Sequence, residues 1–247
     1  MLLLDVGNSR CKWACIENGA WVQQGVVENS DWKALQRYFG LLTPPARVII
    51  SNVGGEPLAQ RLRELCSGWP VQMEFVSAQA EQCGVKNAYE NPARLGADRW
   101  ASLIAARQRV GHACLVVNCG TATTVDALSD SGEFLGGLIM PGITLMRQSL
   151  NHNTAQLPDE EGRVQNFPRN TADAIYSGVI QATLGAIEHQ SALLQNLLLQ
   201  NQGAKRSVSC ILSGGAADKI EGQLGMHTER VDNLVLEGLK IIGEASA

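Results

Sequence analysis

The chain carries one short pattern twice, 113 positions apart. Residues 2–9 form an apolar run that ends in an acidic residue, a glycine and small polar residues, and residues 116–123 have the same layout. The hairpin signals that follow, Asn18-Gly19 and Ser131-Gly132, keep the same spacing. Two copies of one β-rich unit predict two similar domains that face a shared cleft.

Each copy places a glycine turn directly after a strand. Glycine lets the backbone approach a bulky anion, and the N–H groups of such a turn form an anion-binding concavity. Donors for phosphate oxygens surround the two turns: Asn8, Ser9, Thr121, Thr123 and Thr124. Lys12 can add a positive charge, and Asp5 can hold a cation or its water shell beside the phosphates. A plain hairpin turn would explain one copy, but the second copy in register favours phosphate binding.

Hydrophobic periodicity predicts the same order of elements in both copies, three strands, helix, strand, helix, strand. The predicted strands of the first copy lie near 2–8, 10–17, 21–27, 48–51 and 71–76, with helices near 31–40 (capped by Ser30) and 57–66. Those of the second lie near 114–119, 122–128, 133–140, 208–212 and 226–231, with helices near 142–151 and 171–200. A further helix runs from Asp98 to about Gly111, and a last one starts near Asp232. We expect an α/β protein with domains 1–112 and 113–247, the last helix being free to pack back on the first domain.

Composition excludes several classes of partner. The 247 residues carry a net charge of −4 without a run of Lys and Arg, which argues against nucleic acid as the main partner. No stretch approaches the ~18 apolar residues that cross a membrane, and the first residues lack the basic region of a signal peptide. The seven scattered cysteines indicate free thiols in a reducing compartment, so we expect a cytoplasmic protein. The four histidines lack metal-ligand spacing.

The duplicated unit is similar to that of the actin, sugar-kinase and heat-shock ATPase superfamily. The resemblance implies two ribonuclease-H-like domains, each a mixed five-stranded sheet with helices, and ATP in the cleft between them. It also implies that the glycine turn at 213–215 approaches the adenosine.

A more specific resemblance rests on an ordered set of segments. Asn-Pro-x-x-Leu-Gly-x-Asp-Arg-Trp at 91–100 lies between Asp-x-Gly-Asn at 5–8 and Gly-Thr-Ala-Thr-Thr at 120–124, and segments 136–142 and 170–175 follow. Together these resemble type III pantothenate kinase. The resemblance implies phosphoryl transfer from ATP to pantothenate, which yields 4'-phosphopantothenate in the first step of coenzyme A synthesis.

The same resemblance implies roles for single residues. Its ATP site corresponds to Asp5, Val6, Gly7, Asn8, Ser9, Arg10, Cys11, Lys12 and Thr121. Its pantothenate site corresponds to Tyr89, Gly96, Ala97, Asp98, Arg99 and Thr171, with Asp98 as the proton acceptor. It further implies Mg²⁺ with ATP, and a homodimer with the substrate pocket near the subunit interface, to which the helix at 171–200 would contribute.

Two positions depart from the family pattern. Ser9 stands where threonine is usual and keeps the hydroxyl. Asn118 stands where the family often has an aspartate that binds a monovalent cation, K⁺ or NH₄⁺. An amide keeps one oxygen but lacks the charge, so we expect the cation to bind weakly here unless Asp126 or a neighbouring subunit supplies a carboxylate.

Elementary chemistry agrees with the kinase interpretation. Phosphoryl transfer needs a carboxylate that accepts or orients the hydroxyl proton, and Asp98 opens a predicted helix, where the dipole favours an anion. Arg99 can hold a carboxylate such as that of pantothenate. Structural alternatives remain: Asp98 and Arg99 as a solvated capping pair, Tyr89 as a packed aromatic, Thr171 as an N-cap. Two functional alternatives also remain, a kinase of another small hydroxyl compound such as a sugar, and a nucleotide-binding regulatory accessory factor without turnover.

Overall fold

The computed structural model describes residues 1–153, 162–202 and 207–246. The chain divides into two compact units. The first comprises Met1–Arg109 together with the C-terminal segment from Asn233, and the second comprises Val110–Asp232.

The first unit is built on a mixed five-stranded sheet. Its strands are β1 (Leu2–Val6), β2 (Arg10–Glu17), β3 (Ala20–Glu28), β4 (Arg47–Asn52) and β5 (Gln72–Phe75), in the order β3-β2-β1-β4-β5. Strands β1, β2 and β3 are antiparallel neighbours, whereas β4 and β5 run parallel to β1. The helices are α1 (Trp32–Gly40), α2 (Glu56–Leu65) and α3 (Ala97–Val110), and a short antiparallel pair, β6 (Glu81–Gln82) and β7 (Val85–Asn87), precedes α3.

The second unit repeats that sheet. Its strands are β8 (Cys114–Cys119), β9 (Ala122–Leu128), β10 (Glu133–Pro141), β11 (Ser209–Ser213) and β12 (Thr228–Arg230). They lie in the order β10-β9-β8-β11-β12, with the same antiparallel and parallel neighbours as in the first unit. Its helices are α4 (Ile143–Asn153) and α5 (Thr171–Gln202). The predicted duplication of a mixed α/β unit is confirmed.

One face of each sheet carries a hydrophobic core. In the first unit Leu4 and Val6 of β1 pack with Leu35 and Phe39 of α1 and Leu62 of α2. In the second unit the equivalent core joins the sheet to α5, and its members include Leu115, Val117, Val125, Ile180 and Ile187. Because side chains alternate along a strand, Asp5 lies on the sheet face opposite to the first of these cores.

The last helix, α6 (Leu234–Ala245), belongs to the first unit and packs on β1 and β4. Gly238 lets α6 lie close to α3 as well, because a Cβ at this position would overlap the backbone of Ala101 in α3. A bidentate ion pair also joins the two helices, with Arg109 donating to Glu237 at 2.7 and 2.8 Å.

Some local predictions were wrong. The N-cap of α1 is Asp31, whose carboxyl accepts from the Ala34 N–H at 3.1 Å, and not Ser30. The pair β6–β7 was missed because the two strands are short and mostly polar. Within the described ranges, no helix is long and apolar enough to cross a membrane.

Candidate active site

The first glycine turn, residues 7–9 between β1 and β2, is closed by three groups of hydrogen bonds. The Gly7 N–H donates to the Arg10 carbonyl at 3.0 Å. The side-chain amide of Asn29 donates to the carbonyls of Gly7 and Asn8 at 2.9 and 3.0 Å, and its backbone N–H donates to the Ser9 carbonyl at 2.8 Å. Asn29 was not among the predicted site residues.

Asp5 lies at the centre of a polar row beside this turn. Lys12 of β2 and Ser51 of β4 are its direct partners in the two ladders, so the three side chains share one sheet face. Burial and the charge of Asp98 raise the pKa of the Asp5 carboxyl from its ordinary value of 3.8 to about 7, and the charge of Lys12 opposes this rise. The Ser51 hydroxyl is fully buried and has no hydrogen-bond partner among the described residues.

Other side chains of the predicted ATP segment point elsewhere. Val6 and Cys11 are buried in the core, so a ligand could reach only their backbone atoms. Burial and the neighbouring Asp5 raise the pKa of the Cys11 thiol to about 12, which keeps it protonated and unreactive at neutral pH. The Arg10 guanidinium donates to Glu28 of β3 at 2.7 Å.

Asp98 lies in the first turn of α3 and is held there. The Trp100 N–H donates to the Gly96 carbonyl at 3.0 Å, so the helix starts before Asp98 and Asp98 is not its N-cap. The Asp98 carboxyl accepts from the Arg99 N–H at 2.8 Å, and a Cβ at position 96 would lie 2.6 Å from it. Burial raises the pKa of Asp98, while the N–H and the charge of Arg99 act in the opposite direction.

Arg99 and Tyr89 form a second polar pair next to Asp98. Arg99 is only 6% exposed, and its Nη1 donates to the Tyr89 hydroxyl at 2.9 Å. The Tyr89 backbone N–H donates in turn to the side chain of Asn87 at 3.1 Å. Gln82 of β6 accepts from the Trp100 indole at 2.8 Å, which ties α3 to the segment before it. The unpredicted strands β6 and β7 therefore help to place the predicted substrate residues.

The second glycine turn is one residue shorter than the first and occupies positions 120 and 121. The Gly120 N–H donates to the Ala122 carbonyl at 3.0 Å, and Thr121 is exposed at the tip. Two other glycines pack against this turn. A Cβ on Gly142 would lie 2.6 Å from the Thr121 carbonyl oxygen, and one on Gly214 would lie 2.5 Å from the Cys119 backbone.

Asn118 occupies the position in the second unit that Asp5 occupies in the first. Its ladder partners are Thr124 of β9 and Ser213 of β11. Asp126 lies on the same face, two residue pairs further along the β8–β9 ladder, and is only 1% exposed. The described residues contain no group of three or more His, Cys, Asp and Glu that could hold a metal ion.

Thr171 is the first residue of α5 and is exposed. The N-cap of α5 is the preceding residue, because the Asn170 side chain accepts from the Asp173 N–H at 2.9 Å. The alternative of Thr171 as an N-cap is therefore wrong. Since the cap belongs to Asn170, the Thr171 hydroxyl has no part in it.

Comparison with known proteins decides which family has this arrangement. A sequence model of type III pantothenate kinase matches residues 1–192. The chain belongs to the type III pantothenate kinase family. A type III pantothenate kinase of Aromatoleum aromaticum is 47% identical over the whole chain and 99% of its own length. Another, from Nitrosospira multiformis, is 44% identical over the whole chain and 92% of its own length. The chain is therefore a pantothenate kinase, and the predicted kinase activity is confirmed.

Solved structures of other proteins have a fold similar to that of this pantothenate kinase. A candidate Baf family transcriptional activator from Campylobacter jejuni is similar with a TM-score of 0.62 at 21% identity, over 100% of this chain and 99% of that one. A candidate 2-dehydro-3-deoxygalactonokinase from Sinorhizobium meliloti also has a TM-score of 0.62, at 16% identity, over 99% and 98% of the two chains. At such identities the likeness concerns the fold, and it confirms the predicted class.

Proposed function

We propose that this pantothenate kinase transfers the terminal phosphoryl group of Mg-ATP to pantothenate, with Asp98 as the proton acceptor. The observation that carries the proposal is the partly buried Asp98 carboxyl, fixed by the Arg99 N–H and close enough to Asp5 for the two charges to interact. The test is ADP release from Mg-ATP that requires pantothenate.

The phosphates of ATP are assigned to the two glycine turns. In the first unit this involves the segment from Asp5 to Lys12, in which Gly7, Asn8 and Ser9 supply the turn and Lys12 the positive charge. In the second unit Thr121 supplies a hydroxyl at the exposed tip of the shorter turn. The close packing of Gly142 and Gly214 on that turn supports a fixed backbone there.

The residues present fit a magnesium ion that arrives with ATP. Asp5 offers one carboxylate, and Mg²⁺ is commonly bound through one or two carboxylates plus the substrate phosphates. A carboxyl whose pKa is raised to about 7 by burial and a like charge would gain from a nearby cation. When bound, Mg²⁺ supplies charge neutralisation on the phosphates of ATP. Lys12, on the same sheet face, adds a fixed positive charge.

Pantothenate is assigned to the segment around Arg99. The buried guanidinium offers donors in a planar fork that matches a carboxylate, and the Tyr89 hydroxyl holds one end of it. Gly96, Ala97 and Thr171 complete the proposed substrate contacts. With the carboxylate held, the hydroxyl at the other end of the substrate can be placed near Asp98, and correct alignment is a large part of phosphoryl-transfer catalysis.

The chemical role of Asp98 follows from its environment. Burial raises the pKa of its carboxyl toward that of an effective base, while the Arg99 N–H keeps one oxygen oriented. The ionised carboxyl accepts the proton of the pantothenate hydroxyl as that oxygen bonds to the terminal phosphorus and the bond from phosphorus to the bridging oxygen of ADP breaks. The proton on Asp98 then passes to solvent.

A homodimer is part of the proposal. Exposed leucines of α5, namely Leu193, Leu197 and Leu199, support a subunit contact on this helix. Light scattering of the purified protein at assay concentration should show a dimer, and a fully active monomer would contradict it.

We also propose a cytoplasmic enzyme without a nucleic-acid partner. All seven cysteines are free, which suits a reducing compartment, and the net charge of −4 suits a small-molecule enzyme.

The oxygen set around Asn118 fits a monovalent cation poorly. Its amide offers one neutral oxygen, and the carboxylate of Asp126 is buried two ladder pairs away. We therefore keep the expectation that K⁺ or NH₄⁺ binds weakly and that the reaction depends on Mg²⁺ alone.

A further inference from the structure

One residue outside the predicted site, Asn29, donates hydrogen bonds to all three carbonyls of the first glycine turn. Asn29 follows β3, and its amide nitrogen donates to the carbonyls of Gly7 and Asn8 at 2.9 and 3.0 Å. Its backbone N–H donates to the carbonyl of Ser9 at 2.8 Å. Asn29 therefore makes three hydrogen bonds to this turn.

The position in the second unit that corresponds to Asn29 is a glycine, which has no side chain. The 113-residue repeat places Gly142 opposite Asn29. The Gly142 N–H donates to the Thr121 carbonyl at 2.9 Å, the counterpart of the bond from Asn29 to Ser9. A Cβ on Gly142 would overlap the turn, because the shorter turn packs directly on the backbone at that point. The longer first turn leaves room for a side chain, and the Asn29 amide fills it.

These bonds fix the direction of the N–H groups in the turn. Across a trans peptide the carbonyl and the following N–H point to opposite sides, and the described chain has no cis peptide. Holding the carbonyls of Gly7 and Asn8 on the Asn29 side therefore directs the N–H groups of Asn8 and Ser9 to the other side.

The Asn29 side chain does this at a cost in stability. Its Oδ1 atom is buried and has no hydrogen-bond partner among the described residues. A buried acceptor without a partner is unfavourable for folding. The Asn29 amide leaves its oxygen without a partner while its nitrogen bonds two carbonyls. This arrangement is better explained by a need to fix the conformation of the turn than by a need to stabilise the fold.

We propose that Asn29 is a positioning residue for the phosphates of ATP. It acts through the turn, by presenting the N–H groups of Asn8 and Ser9 as a preformed anion cradle. The inference rests on the proposed assignment of ATP phosphates to residues 5–12. Loss of the Asn29 side chain should weaken ATP binding, because part of the binding energy must then be used to order the turn.

The test compares three Asn29 variants in the full-length protein. Asn29→Ala removes both donors and should raise the Kd for Mg-ATP about tenfold, with the KM for pantothenate changed less than twofold. Asn29→Ser keeps one shorter donor and should lie between the wild type and Asn29→Ala. Asn29→Asp keeps the shape but places a carboxylate against two carbonyls and near the triphosphate, so it should bind ATP most weakly. The Kd is measured by calorimetry, and KM and kcat by ADP release.

Asp31→Ala is the matched control. Asp31 lies two residues away, is exposed and caps α1 through one hydrogen bond, so its loss lowers the melting temperature without contacting the turn. The ATP Kd of Asp31→Ala should equal that of the wild type. An effect of Asn29 that came only from reduced stability would appear equally in Asp31→Ala, and that result would overturn the inference.

Lys12→Ala distinguishes a failure of this inference from a failure of the proposed phosphate site at residues 5–12. If Lys12→Ala weakens ATP binding while Asn29→Ala and Asn29→Ser both bind ATP like the wild type, the inference is wrong and the phosphate assignment stands. If Lys12→Ala also binds ATP like the wild type, the phosphates lie elsewhere and both are overturned. Should Asn29→Ala fail to fold, the comparison of Asn29→Ser with Asp31→Ala decides in the same way.

Discussion

The carboxyl groups of Asp5 and Asp98 interact through their charges, although 93 positions of sequence separate them. Burial first, and then the charge of Asp98, raise the pKa of Asp5 to about 7. Two carboxylates in one partly buried place are unfavourable unless a proton or a cation is present. The pair is therefore suited to a reaction that brings a cation with its substrate and leaves one carboxylate free to accept a proton.

The first prediction concerns Asp5→Asn and pH. A native pKa of about 7 against 3.8 for an unperturbed carboxyl means that the native state binds more protons between these values. Stability of the ligand-free wild type should therefore fall as pH rises from about 4 to 7, by at most ~4 kcal/mol. Asp5→Asn should lose this dependence and be more stable than the wild type at pH 8. Thermal unfolding of both proteins from pH 4.5 to 8 measures it, with Asp31→Asn as the control at an exposed cap. Parallel pH profiles of wild type and Asp5→Asn would contradict the assignment.

The second prediction concerns Asp98→Asn. The amide keeps the shape but cannot accept the proton, so kcat should fall by roughly 10²–10⁴-fold, the range for a positioned general base. Binding of Mg-ATP should not weaken, because a negative charge near the triphosphate has been removed. Steady-state kinetics with calorimetry separate the two effects. A loss of less than tenfold in kcat would reduce Asp98 to an orienting role.

A third prediction concerns Tyr89→Phe. The change removes the 2.9 Å hydrogen bond from Arg99 and loosens the guanidinium. Because such a bond contributes about 1 kcal/mol, the KM for pantothenate should rise roughly fivefold while the Kd for ATP stays the same. Tyr38→Phe is the control, since Tyr38 is an exposed tyrosine of α1 in the same unit. If Tyr89→Phe instead weakens ATP binding and leaves the KM for pantothenate unchanged, Tyr89 serves the ATP site and the prediction is wrong.

The fourth prediction concerns the monovalent cation. A unit charge about 4 Å from a cation is worth roughly 4 kcal/mol at an effective dielectric constant of 20, before desolvation offsets part of it. With Asn118 in place, turnover should be nearly equal in Na⁺, K⁺, NH₄⁺ and tetramethylammonium at matched ionic strength. Asn118→Asp should introduce activation by K⁺. Strong, saturable activation of the wild type by K⁺ would instead point to Asp126 or a partner residue as the ligand.

Sequence was sufficient for the duplicated sheet, because the alternation of apolar residues and the two glycine turns are local signals. It was not sufficient for the difference between the turns. The second unit has one residue fewer in its glycine turn and a longer hairpin around Ser131, so the 113-residue spacing is restored and the difference is hidden.

The missed site residues share one physical reason. Asn29, Ser51 and Gln82 reach the site through ladder register or a long-range side-chain bond, and neither is visible in a linear motif. The caps show the same limit on a smaller scale. Ser30 and Asp31, like Asn170 and Thr171, are adjacent residues that can both cap a helix, and backbone geometry alone decides between them. The repeat does contain one signal for Asn29, since it aligns this residue with Gly142.

Phosphorylation of pantothenate by Mg-ATP, with Asp98 as the proton acceptor, can be tested in one assay. The most direct measurement is ADP release by the purified protein with Mg-ATP and either pantothenate or a panel of sugars, together with mass spectrometry of the product. We expect ADP release that requires both Mg²⁺ and pantothenate, and a product heavier than pantothenate by one phosphoryl group. Asp98→Asn should lose nearly all of this activity. A folded protein that binds ATP but releases no ADP with pantothenate, or that phosphorylates a sugar instead, would contradict this expectation.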